Sequence, residues 1–325
     1  MTDLRPYEPG DEAAVLNLLD ASLGWVPDAQ HRDFFAWKHR DNPFGPSPAW
    51  VATVGGRVVG FRTFLRWEFV LDGRVVRAVR AVDTATHPDH QGQGVFRALT
   101  LHALGELAAE GPDRIAFVFN TPNARSRPGY LKMGWQAVGR LGVLSRPRSP
   151  TALVRLARAR TAAGKWSAQS DAGMPVSEAL ADTAAVADLL ASLPRGDGLA
   201  THRTPEYLSW RYGFAPLDYR AVTGPAGPVG GMVVFRLRPR GAALEAAVCE
   251  ELVPGDDPRL LSHLLARALR ESGADHAVRL AGQGPRAGFV PVPGQGPTLV
   301  FRGIGLSAMP AASRWHLGLG DVELM

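Results

Sequence analysis

One stretch confines the fold of this chain more than any other: Thr84-Ala85-Thr86-His87-Pro88-Asp89-His90-Gln91-Gly92-Gln93-Gly94-Val95-Phe96-Arg97. A β-branched run, Val75 to Val82, leads into it, and a run of helical period ending near Ala109 leads out, so it reads as strand, glycine turn, helix. Gly92 and Gly94, one residue apart, let the backbone bend until successive N–H groups face one concavity. The helix behind them adds its unpaired first-turn amides and the positive end of its dipole. Such a cradle takes a pyrophosphate without a lysine. It is not a P-loop, which ends Gly-Lys-Ser/Thr, and Arg97 stands where the dinucleotide fingerprint requires a third glycine.

A second motif follows one helix and one strand later: Asn120-Thr121-Pro122-Asn123-Ala124-Arg125-Ser126-Arg127-Pro128-Gly129-Tyr130-Leu131-Lys132-Met133-Gly134-Trp135. Gln91-x-x-Gly94-x-Phe96 resembles the Q/R-x-x-G-x-G/A signature of the GNAT acyltransferases, and Asn123 to Tyr130, with Lys132-x-Gly134-Trp135 behind, is similar to their second signature. Phe96 departs from the small last residue of the first. The resemblance implies an α+β fold, a mixed central sheet with flanking helices, and acetyl-CoA or another acyl-CoA as acyl donor. It implies cofactor contacts at Thr84, Ala85, Thr86, Gln91, Gly92, Gln93, Gly94, Val95, Phe96, Arg97, Asn123, Arg125 and Ser126. It also places the Tyr130 hydroxyl near the CoA sulfur as proton donor.

At 325 residues, two domains are expected, and the 46% apolar share is that of a soluble globular protein. No apolar run reaches membrane-span length and the start lacks the order of a signal peptide, so a cytoplasmic protein is expected. The single cysteine, Cys249, lies in a strand-like run and reads as a buried thiol rather than a nucleophile. The net charge of +5 comes from arginines dispersed along the chain, with Lys38, Lys132 and Lys165 the only lysines. Dispersed arginine makes no nucleic-acid stripe, and neither nucleic acid nor a membrane is expected as partner.

In chain order, Asp11 is a plausible N-cap for a helix carrying Val15, Leu18, Leu19 and Leu23, and a second helix spans His31 to His39. Gly55-Gly56 and Asp72-Gly73 join three strands into a meander whose last strand feeds the cradle. The helix from Gly94 ends at Gly111-Pro112, and Ile115 to Phe119 reads as a buried strand parallel to the cradle strand. This order reproduces the GNAT pattern over residues 1–145. Ser145 to Pro150 reads as a linker and Thr151 to Ala163 as a basic helix with Arg155, Arg158 and Arg160, so that 146–175 joins the halves. Residues 176–325 read as a degenerate second copy: His202 to Arg211 echoes His31 to Lys38, three strands and a helix from Asp257 to Ser272 follow, and Gly288-Phe289 sits where Gly134-Trp135 did. There Pro254-Gly255-Asp256-Asp257-Pro258 replaces the cradle with acidic side chains, and Gly284 falls near the position of Tyr130.

Acyl transfer to an amine needs a fixed thioester, a deprotonated amine and a proton for the departing thiolate. Tyr130 is the expected acid. The base is less determined; Asp83 on the cradle strand is the candidate, although the pleat turns it away from its neighbours, and His87 and His90 read as loop contacts. Trp37, Trp50 and Phe64, with Trp67, are candidates for the acceptor side, which the second half and its tail near Trp315, His316 and Asp321 are expected to close. The reading is a direct-attack N-acyltransferase for a small primary amine, without metal, acting as monomer or homodimer. Two alternatives stand beside it: a non-catalytic acyl-CoA sensor, and a transferase fed by aminoacyl-tRNA, which calls for a basic groove.

Overall fold

Left-handed backbone at Gly55, Gly56, Asp72 and Gly73 closes the two hairpins that frame the first half. The computed structural model describes residues 2–26, 28–111, 114–152, 162–194, 196–282, 286–306 and 308–323. The chain forms two units, Met1–Gly139 with Thr298–Ala312, and Arg140–Pro297 with Ser313–Leu324.

The first unit runs β1 (Asp3–Pro6), α1 (Glu12–Leu23), α2 (Ala29–His39), β2 (Ala49–Val54), β3 (Arg57–Leu71), β4 (Arg74–Thr86), α3 (Val95–Ala109), β5 (Phe117–Asn120), α4 (Arg127–Lys132) and β6 (Gln136–Arg140). β1 to β4 are joined antiparallel, and β4 pairs in parallel with β5, as a helical crossover through α3 dictates. The mixed α/β order expected for residues 1–145 is therefore present, with one addition. Thr298–Gly303 returns from far along the chain, pairs antiparallel with β5 and lies between β5 and β6. Val15, Leu18 and Leu19 are buried on α1 as the period requires, whereas Leu23 is exposed. Asp11 does not cap that helix through its side chain; its carboxylate takes two 2.7 Å bonds from Arg5. Gly111 takes the left-handed backbone expected at the end of α3, while Pro112 lies outside the described residues.

In the second unit Arg220–Gly224, Gly227–Arg240 and Ala243–Leu252 form an antiparallel meander, and Ala243–Leu252 pairs in parallel with His276–Leu280 after the helix Pro258–Glu271. The order of strand pairing and crossover is the same as in the first unit. The segment read as a linker is built in: Val143–Pro147 pairs with His276–Leu280, and the amides of Gly164 and Ala168 bond carbonyls of Pro239 and Leu237. The expected boundary near 145 thus differs from the structural division because a strand needs a partner wherever the chain supplies one. Most of the expected basic helix, including Arg155, Arg158 and Arg160, lies outside the described residues, as does Gly284.

Two features set the second unit apart from the first among the described residues. Its crossover helix is capped by Asp257, whose carboxylate accepts the amides of Arg259 and Leu260 (2.8 and 3.3 Å), so the anion position is filled by the protein itself. Its core also holds a buried charge network, in which Arg236 Nη2 has no partner among the described residues. Glu323 accepts from Arg236 (3.0 Å), Arg238 (3.3 Å), Tyr219 (2.8 Å) and the Cys249 thiol (3.1 Å). Asp321 accepts from Thr201 (2.7 Å) and Arg203 (3.3 Å). Cys249 is buried, as its run implied, and burial beside the Glu323 charge pushes its thiol well above the usual range.

Candidate functional site

The cradle has the form its glycines imply. Gly92 and Gly94 hold φ of 75° and 81°, and Gly94 is the N-cap of α3. Nothing lies within 4 Å of where a Cβ on either glycine would stand, so the concavity is open. A 3-10 turn, Pro88–His90, precedes it; there the Gln91 amide bonds the Pro88 carbonyl and the Gln91 side chain bonds the Thr86 carbonyl (3.2 Å). The Gln91 amide, expected to face the anion, is therefore spent inside the turn. Among the described residues, the amides from Gly92 through Arg97 meet no acceptor of the chain, and helical bonding resumes with Ala98 on the Gly94 carbonyl. No acidic side chain occupies the first turn of α3. This is a row of donors at a helix entrance, and it fits a diphosphate.

His87 turns its Nδ1 to the Asp89 amide (3.3 Å), a loop contact as expected. Arg97 and Arg125 are exposed. The Asn123 Oδ1 accepts the amides of Arg125 (3.0 Å) and Ser126 (2.9 Å) and the Ser126 hydroxyl (3.1 Å). Its oxygen shapes the entry to α4, and only the amide group remains for a ligand. Phe96 does not obstruct the cradle. Its ring stands edge-on to Tyr130 at 5.5 Å, and a Cβ on Gly129 would meet it at 3.0 Å, so Gly129 is small because Phe96 is large.

Among the described residues, strands β4 and β5 pair over Ala78–Arg80 with Phe117–Phe119, and the β4 edge from Ala81 to Thr86 has no strand partner on that side. Thr84 and Thr86 therefore border a gap, while Ala85 is buried. Tyr130, buried on α4, packs between Phe96 and Trp135 (centroids 5.5 and 5.0 Å).

The register of β3 and β4 shifts where Asp83 and Thr84 face Arg62, and Asp83 takes φ of 41°. Such a bulge re-aims side chains. Thr84 Oγ1 meets the Arg62 guanidinium, whereas Asp83 reaches α2, bonding Lys38 Nζ (2.7 Å) and His39 Nε2 (3.0 Å). Burial alone raises the Asp83 carboxyl, but the Lys38 charge and the His39 bond outweigh it and hold the group well below the usual range. Burial lowers His39 in turn, so the neutral imidazole donates to Asp83 while its Nδ1 accepts from Ser47 Oγ (3.1 Å). A carboxylate held in this way is a weak proton acceptor, which corrects the expectation that Asp83 is the base.

The acceptor candidates also need correction. Phe64 is fully buried, Trp50 is buried with its Nε1 on Glu106 (2.8 Å), and Trp37 packs at 5.3 Å on Phe34. They are core residues of the first unit, as is Trp67. In the second unit Asp321 is fully buried and held by Thr201 and Arg203, not presented to a ligand.

Sequence reading passed over Arg62. Its side chain is fully buried, its Nη1 donates to Tyr130 Oη (2.7 Å) and to Thr84 Oγ1, and its Cζ lies 4.2 Å from the Phe64 ring centroid. Its Nε and Nη2 have no partner among the described residues. An arginine within the apolar run Val58 to Leu65 was the available signal. Among the described residues no helix is long and apolar enough to cross a membrane, and no group of three or more His, Cys, Asp and Glu is arranged to hold a metal.

Residues 3–138 match the family model described as acetyltransferase (GNAT) domain. A mycothiol acetyltransferase of Saccharomonospora viridis is 32% identical over 146 residues, which cover 42% of this chain and 46% of that protein, so the match spans less than half of the curated relative's length. Among solved structures, a protein of unknown function from Enterococcus faecalis V583, described as a probable N-acyltransferase, is matched over 94% of this chain and 72% of that one at TM-score 0.66 and 11% identity. A GCN5-related N-acetyltransferase from Anabaena variabilis covers 94% and 73% at TM-score 0.64 and 14% identity. Eis1 from Mycobacterium abscessus covers 94% and 74% at TM-score 0.58 and 16% identity. At these identities the structures bear on the fold alone.

Proposed function

We propose, from the match of residues 3–138 to the acetyltransferase (GNAT) domain model, that the protein transfers an acyl group from acyl-CoA to a small primary amine. The observation that carries the reading is the row of unspent amides from Gly92 to Arg97 at the entrance to α3. These amides would hold the CoA pyrophosphate, and the open β4 edge at Thr84 and Thr86 would bond the pantetheine arm. The relative named a mycothiol acetyltransferase supports acetyl as the acyl group.

In this reading the first unit's residues do three things. The cradle and the β4 edge fix the donor, so that attack by the amine becomes effectively unimolecular. Tyr130 gives its hydroxyl proton to the sulfur as the thiolate departs. Phe96 and Trp135 hold the phenol ring in place for that transfer. Asp83 has a structural part, tying β4 to α2, and the attacking amine loses its proton to water. Attack is direct, since Cys249 is buried in the second unit and has no part in the transfer.

The reading is tested by Tyr130→Phe with acetyl-CoA and a panel of glucosamine, alaninamide and kanamycin. Acetyl-CoA affinity should stay within about threefold, while thiol release slows at least about tenfold. Unchanged release would remove Tyr130 from the chemistry.

A further inference from the structure

The guanidinium of Arg62 is a buried charge of the first unit whose near contacts are neutral: two hydroxyls and the Phe64 ring at 4.2 Å. It is fully buried, bonds no carboxylate among the described residues, and leaves Nε and Nη2 without partners. Asp83, the nearest acid in sequence on the opposing strand, is turned away to Lys38 and His39. A fold that keeps an unpaired buried cation bears a desolvation cost that removing the charge would relieve. The position therefore calls for a role other than stability.

Bond direction supplies that role. A guanidinium only donates, so in the 2.7 Å contact with Arg62 Nη1 the Tyr130 oxygen must be the acceptor. The other Nη1 hydrogen goes to Thr84 Oγ1. The Tyr130 hydroxyl proton is thereby directed away from Arg62, and the oxygen it would leave behind already sits against a full positive charge in a buried place. On the reading of Tyr130 as acid, we infer that Arg62 is its positioning residue, orienting the phenol proton toward the thioester and stabilising the phenolate formed when that proton leaves. The step balances within the reaction. The amine lone pair forms the C–N bond as the C–S electron pair goes to sulfur, the Tyr130 O–H bond breaks and an S–H bond forms, and the O–H pair stays on the phenol oxygen beside Arg62. Tyr130 regains a proton from water, while the proton shed by the amine passes to water.

The test compares native protein, Arg62→Met, Tyr130→Phe and the double variant, reading thiol release from acetyl-CoA with and without each amine of the panel, and thermal stability. Methionine keeps the apolar stem but removes the guanidinium and its charge. A merely structural arginine predicts a lower melting temperature and activity that falls only with the folded fraction. The inference predicts a melting temperature at or above native, kcat lowered at least about tenfold with KM for acetyl-CoA within about threefold, and a double variant within about twofold of Tyr130→Phe alone. Should Arg62→Met fail to fold, Arg62→Lys is read in the same way, with a smaller loss of kcat expected. If Tyr130→Phe is slow but the Arg62 variant is within twofold of native, or if the two losses multiply, the inference on Arg62 falls while the acid role of Tyr130 stands. If Tyr130→Phe is not slow, both fall.

Discussion

At the level of single residues, one backbone angle decides what Asp83 does. Its positive φ at the β4 bulge turns the carboxylate to Lys38 and His39 and gives Thr84 to Arg62. Neither outcome is written in the local sequence, because strand periodicity assigns faces only while the ladder is regular. The Asp83 cluster has a consequence for pH. His39 is lowered by burial, so as pH falls the unfolded chain, with an ordinary histidine pKa of about 6.5, takes up its proton before the folded state does. The stabilisation is complete above about pH 6.5 and is lost as pH falls toward the folded value. Asp83, also lowered, acts in a separate window, beginning below the ordinary carboxylate value of about 4. The melting temperature should therefore decline from pH 7 to pH 5, and His39→Gln should flatten that slope; an equal slope in the variant would show that the imidazole is not responsible. Tyr130 was legible because it sits in a spaced motif. Arg62 was not, since its meaning comes from partners on β4 and α4.

At the level of elements, the cradle works only if α3 starts close to the sheet. Gly60 on β3 permits this: a Cβ there would stand 2.8 Å from Val95 Cγ1 and 3.0 Å from Ala52 Cβ. Gly60→Val should therefore push the first turn of α3 outward, destabilise the protein by roughly 1 to 3 kcal/mol and weaken acetyl-CoA binding by about tenfold. A folded Gly60→Val variant with native affinity would mean that the helix entrance tolerates displacement. The turn, the helix and the parallel strand behind it were readable from glycine spacing and apolar period. The close approach of Gly60 was not, because it depends on an atom 35 positions away, at Val95. Aromatic residues misled for a related reason: Trp50 and Phe64 share the apolar character of a pocket lining, and only packing shows them to be core.

At the level of the whole chain, the order of elements in each half was legible, and the pairing of its outer strands was not. Thr298–Gly303 completes the first sheet beside β5, and Val143–Pro147 completes the second beside His276–Leu280. A short apolar strand carries no address for a distant partner, so contiguous halves were the natural expectation. The absence of a cradle from the second unit was readable in Asp256 and Asp257, and the Asp257 cap gives it a physical form. What unites these features is the proposed main-chain anion site at Gly92 to Arg97, which has no counterpart among the described residues of the second unit. Calorimetric titration of acetyl-CoA into the native protein and into Gly94→Val tests that claim most directly. The account predicts saturable one-to-one binding to the native chain and at least about tenfold weaker binding to the folded variant, whose side chain is strained at φ of 81°. No binding to the native chain, or equal affinity in the two proteins, would contradict it.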